Sequence, residues 1–131
     1  MKRTAKLAAA ALGAALLVPT LATSAQASVS GCGQNSFCLF CNSNEQGSHN
    51  SLRSSVSDLA GYTFTSSGNG QGKSVKNNAA SASVVSNICM TVTVFYNSNY
   101  SGPTDAFNYR NYGNLKNTYN NNASVKFAGD C

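Results

Sequence analysis

The sequence predicts an all-β sandwich of two Greek-key motifs, and three observations carry that expectation. Short runs of β-branched and aromatic residues alternate with stretches of Asn, Ser and Gly, the chain repeats itself once, and all five cysteines follow an export signal. With 131 residues, 42% hydrophobic and 10% charged, the chain suits one domain and is neither a disordered polyelectrolyte nor a coiled coil.

The amino terminus comes first. Lys2, Arg3 and Lys6 form a basic start, Leu7 to Val18 is an apolar run, and Ala25-Gln26-Ala27 is a small-x-small cleavage site. This is the pattern of a secretory signal peptide over 1–27, which leaves a single domain at 28–131. The apolar run is shorter than the ~20 residues that cross a bilayer and ends at Pro19, so no membrane attachment is expected after cleavage. Three of the bases behind the formal charge of +5 go with the leader. Arg53, Lys73, Lys76, Arg110, Lys116 and Lys126 remain against Glu45, Asp58, Asp105 and Asp130, a net of +2. These bases are scattered singly, which excludes nucleic acid as a leading partner.

In an oxidising exterior the five cysteines read as disulfides rather than zinc ligands. An odd number leaves one thiol over, and spacing alone admits fifteen schemes of two bridges and an orphan. The favoured scheme joins Cys32 to Cys38 as a local clip and Cys89 to Cys131, tying the chain's end to its middle. Cys41 is then free; the expected state is a monomer.

The repeat organises the β elements. Phe40-Cys41-Asn42-Ser43-Asn44-Glu45-Gln46-Gly47 matches Phe95-Tyr96-Asn97-Ser98-Asn99-Tyr100-Ser101-Gly102 at an offset of 55, with five identities in eight. Farther on the offset becomes 43, pairing Phe64 with Phe107, Gly70 with Gly113, Lys73 with Lys116 and Asn77–Ser81 with Asn120–Ser124. The first copy, about 37–88, therefore carries twelve residues more than the second, about 90–128, and the excess is assigned to Ser48–Ala60. Phe37–Phe40, Tyr62–Thr65 and Ser83–Val85 are the expected strands of the first copy. Thr91–Tyr96, Asp105–Asn108 and Ser124–Phe127 are those of the second, in a total of about eight. Gly47 and Gly102 suit a sharp fold-back beside Phe40 and Phe95, with Ser81 and Ser124 placed to hydrogen-bond the folded hairpins.

An aromatic residue, six further residues, a Gly and a later Asn/Asp-Asn/Asp-x-x-Ser segment resemble the βγ-crystallin Greek-key motif, here present twice. With the leader and the lead-in from Cys32 to Phe40, the chain resembles the secreted actinobacterial peptidase inhibitors of the small metalloproteinase inhibitor family. The resemblance implies a βγ-crystallin-like sandwich, a secreted protease as partner and inhibition of thermolysin-like metalloproteases. It also implies that a hard cation can sit at Asn77, Asn78 and Ser81 and at Asn120, Asn121 and Ser124. All four paired positions are amides here, so only weak calcium binding is expected and no cofactor is required.

No enzymatic activity is expected. His49 is the chain's one histidine, and no Gly-x-Ser-x-Gly or His-Glu-x-x-His pattern occurs. Inhibition needs a segment that enters a protease as substrate does and is held rigidly, and two segments qualify. Cys89-Met90 lies between the motifs beside an expected bridge, with apolar Met90 following the bond. In the twelve-residue excess, Asn50 or Ser51 can cap a helical turn that spaces Leu52, Val56 and Leu59 along one face, a stripe that more often covers a core than meets a partner. Two other readings stand beside inhibition: a calcium-stabilised extracellular module, and a killer-toxin-like or surface-interacting protein.

Overall fold

The computed structural model describes residues 31–129, so the expected leader and Cys131 lie outside the described residues. Among the described residues seven strands form: β1 (Ser36–Phe40), β2 (His49–Leu52), β3 (Ser81–Val85), β4 (Thr91–Asn97), β5 (Ser101–Asn108), β6 (Tyr112–Asn114) and β7 (Ser124–Ala128). One antiparallel sheet runs in the order β2-β1-β3-β6, the other β5-β4-β7. Side chains that alternate toward the gap between the sheets make the core: Phe37 and Leu39, Ala82 and Val84, Val92 and Val94, with Phe107, Leu115 and Val125. Phe37 anchors it, its ring 6.0 Å from Phe107 and 6.3 Å from Phe127.

The two halves exchange strands. β6 belongs to the second copy yet pairs with β3 of the first, Ala82 facing Gly113. Reciprocally, Val56 of the first copy exchanges both backbone hydrogen bonds with Val125 on β7 (2.8 and 2.9 Å), and the Leu59 N–H donates to Ala123 O. Leu115 N–H donates to Ala80 O in the same way, so Leu59 and Leu115 are counterparts across a pseudo-twofold axis.

This pairing corrects the alignment of the copies. Phe37 faces Leu52 and Val92 faces Phe107, so the offset of 55 persists through β2, and Leu52, not Phe64, is the partner of Phe107. The helical turn expected in Ser48–Ala60 is absent: His49–Leu52 is a strand, and Val56 and Leu59 extend the second sheet. The excess sits later, between Leu59 and Asn77, where the second copy passes directly from Leu115 to Asn120. There the chain doubles back. Val75 N–H donates to Tyr62 O and Phe64 N–H to Lys73 O, so the strand expected at Tyr62–Thr65 reduces to the single bridge Thr63–Ser74. Helical spacing misled because a strand followed by a turn can bury the same three residues. Leu52, Val56 and Leu59 are 5%, 8% and 0% exposed, which turns the stripe inward.

The fold-back hairpins match residue for residue. Asn44 and Glu45, like Asn99 and Tyr100, sit in the left-handed region at φ 56–59°. Gly47 and Gly102 follow at φ 78° and 85°, and a Cβ on either would lie 2.9 Å from Asn69 O or 2.7 Å from Asn97 Nδ2. Ser81 Oγ donates to Asn42 O and accepts from Glu45 N–H; Ser124 Oγ donates to Asn97 O and accepts from Tyr100 N–H.

Asp105 ties the turn before β7. Its carboxylate accepts the Lys116, Asn117 and Thr118 N–H groups and the Thr118 hydroxyl. Burial alone would raise its pKa, but the Thr118 side-chain and backbone bonds, with those from Asn117 and Lys116, bring it below the ordinary 3.8. The folded state thus holds the charged form more tightly than the unfolded chain does. The stabilisation is complete above 3.8 and fades as pH falls through 3.8 toward the lower folded value. Urea midpoints measured from about pH 5 to about pH 2.5 should fall, and Asp105→Asn should flatten part of that fall while lowering the midpoint near neutrality.

Candidate functional site

The connection from β3 to β4, Ser86–Met90, projects Ile88 into solvent with 59% of its surface exposed. Buried Ser86 pins this tip: its hydroxyl accepts the Ile88 N–H and donates to Ile88 O, both at 3.1 Å, with Asn35 Oδ1 a further acceptor at 3.3 Å. Asn87 is held from two sides. Its Nδ2 donates to Gln34 Oε1 (3.4 Å), and its Oδ1 accepts from Arg110 Nη2 (3.2 Å). Gln34 and Asn35 belong to the loop closed by the Cys32–Cys38 disulfide, which is present as expected. Cys89 is disulfide-bonded too, and the pairing expected for it, with Cys131, lies outside the described residues.

A tight backbone, two covalent staples and a bulky apolar tip therefore coincide. Arg110, which bonds the loop at Asn87, lies in sequence between the exposed Tyr109 and Tyr112, and arginine and tyrosine are residue types that anchor protein interfaces. Beneath the loop a shallow cavity of about 220 Å³ is lined by Arg53, Ile88, Cys89, Met90 and Phe127.

Of the two expected segments, the structure presents the one around Cys89-Met90, but Met90 is partly buried against the core and Ile88 is the side chain offered outward. Ile88, Gln34 and Arg110 are not among the residues that the sequence singles out. One signal existed: Ile88 is the chain's single isoleucine and stands between Asn87 and Cys89, outside either strand's alternation.

Among the described residues Cys41 is the free thiol, partly buried against the core. His49 is buried, its ring 5.3 Å from Phe40, and Nδ1 lies 3.0 Å from Ser66 Oγ. That hydroxyl also accepts the His49 N–H, and among the described residues no carboxylate hydrogen-bonds the ring. The pair braces β2 against the inserted loop.

The residues of the expected cation sites suit a divalent ion poorly. Ser81 and Ser124 already tether the hairpins, and Asn78 and Asn121 each donate from Nδ2 to the carbonyl two residues earlier. Asn77 and Asn120 hold left-handed turns. Glu45, the single acid on either hairpin, takes another course. Burial raises its pKa above the ordinary 4.5, partly opposed by a hydrogen bond with Ser83. Among the described residues no three His, Cys, Asp or Glu side chains gather as metal ligands.

Known proteins agree with this architecture. A βγ-crystallin domain solved in work on the evolution of the eye-lens fold superposes with a TM-score of 0.58 at 13% identity, covering 76% of this chain and 92% of the other. A βγ-crystallin from Ciona intestinalis gives 0.52 at 23% identity over 70% and 96%. A βγ-crystallin domain from Clostridium beijerinckii gives 0.52 at 17% identity over 72% and 98%. At these identities the likeness shows the fold, a βγ-crystallin sandwich. No curated protein matches the chain. Residues 25–107, which include both disulfide-bearing segments around the Ser86–Met90 loop, match peptidase inhibitor family I36, and the chain belongs to that family.

Proposed function

We propose that this chain is a secreted inhibitor that offers the Ser86–Met90 loop to a thermolysin-type zinc protease as an unusually rigid substrate. The observation that carries the reading is the exposed Ile88 on a loop whose backbone Ser86 bonds and whose Asn87 side chain is clamped by Gln34 and Arg110. Such an enzyme polarises the scissile carbonyl with its metal and favours an apolar residue beyond the cut. Ile88 meets that preference at the surface. Rigidity serves twice. It lowers the ordering cost of binding, and it keeps cleaved ends in register so that the bond re-forms rather than parting.

The test is a stoichiometric titration of the purified mature protein against a thermolysin-type enzyme, with serine and cysteine proteases in parallel. Tight one-to-one loss of the metalloprotease activity is the expected result. Inhibition confined to serine proteases would keep the family function and move the target class, and no inhibition with growth arrest or cell binding would favour the toxin-like reading.

A further inference from the structure

Asn77 and Asn120 face each other across the pseudo-twofold axis, Asn77 N–H donating to Asn122 O (2.8 Å) and Asn120 N–H to Ala79 O (2.9 Å). On the first hairpin's side they border an open polar cleft of about 440 Å³, lined also by Asn42, Ser43 and Tyr119. The symmetry-related place, beside the second hairpin, is filled. Lys76 is the counterpart of Tyr119, as Ser98 is of Ser43. The Lys76 ammonium donates to Asp58 Oδ1 at 2.8 Å and to Ser98 Oγ at 3.2 Å. A third contact closes the arrangement: Asn99 N–H donates to Ser57 O at 2.8 Å.

We propose that Lys76 is a built-in cation that takes the place of a metal ion at the second Greek-key hairpin. A hard divalent ion takes six or more oxygen ligands and is held more tightly the more of them are charged, and the neutral Asn pairs supply no charge. One ammonium needs far less: a single carboxylate and a hydroxyl satisfy two of its three donors. Because it is part of the chain, its local concentration does not depend on the medium. Its positive charge also opposes entry of a second cation. Asp58 serves as its counter-ion; the bond to Lys76, then that from the Ala60 N–H, lowers the Asp58 pKa below the ordinary 3.8. The substitution thus ties three separate segments, at Asp58, Lys76 and Ser98, to one charge centre.

The experiment compares the melting temperature and amide hydrogen exchange of the mature protein in EDTA and in millimolar calcium. The wild-type Tm should be the same in both. Lys76→Met should lower Tm by a few degrees, speed exchange of the Asn99 amide several-fold, and make Tm rise with calcium, because Asp58 and Ser98 are released as oxygen ligands. Asp58→Asn should loosen the same hairpin without the calcium response. A wild-type Tm that climbs with calcium overturns the proposal, as does a Lys76→Met protein with unchanged exchange. A Lys76→Met protein that loosens yet ignores calcium overturns it as well, since the lysine is then an ordinary ion pair.

Discussion

Ile88→Asp is expected to weaken inhibition of the target protease by roughly 30-fold or more while leaving the melting temperature within about 2 °C of wild type. The asymmetry follows from where the side chain stands. With 59% of its surface open, Ile88 contributes little to the core, so the substitution removes no packing that the fold depends on. In the proposed complex the same side chain would be the apolar anchor of a desolvated pocket, and a carboxylate there would remain unpaired. Ser86 still bonds the backbone at position 88, because both of its contacts are to main-chain atoms. Loss of inhibition at constant Tm, read by titration and calorimetry, is the expected pair of results. Full inhibition by Ile88→Asp would remove the loop from the interface.

Leu59→Ala is expected to destabilise the domain by about 2–5 kcal/mol, lowering Tm by roughly 10 °C or more. Leu59 is completely buried, and its N–H extends the second sheet through Ala123. Its counterpart Leu115 fills the related place in the first sheet, so Leu115→Ala should cost a similar amount. Were the segment a peripheral flap, truncation would be nearly silent. Thermal unfolding of the two variants side by side therefore checks the corrected register of the repeat as well as the stability of the core.

Much of this fold is legible from residues because the repeat is written in positions with few chemical alternatives. A Gly after two left-handed residues and a Ser that both donates and accepts leave a signature that survives where the rest of each copy has diverged. The misplaced excess shows the limit. Phe64 and Phe107 are alike in type, but backbone pairing makes Leu52 the counterpart of Phe107, and pairing between distant segments leaves no local trace. Leu52, Val56 and Leu59 satisfy helical spacing and are equally well buried by a strand and a turn, so periodicity could not choose. At the candidate site the same boundary appears. A connection beside a disulfide was readable, whereas the bonds from Gln34 and Arg110 span 53 and 23 positions and exist only once the chain is folded.

The exchange of strands between the two copies bears on what a protease would achieve by cutting the Ser86–Met90 loop. β6 lies downstream of that loop and pairs upstream, with β3, while Val56 lies upstream and pairs downstream, with β7. The two fragments would each hold a piece of the other's sheet, so separation would expose unpaired strand edges and the shared core together. Severing the loop would convert the protein into a complementing pair of fragments, still one particle, rather than into two products free to diffuse.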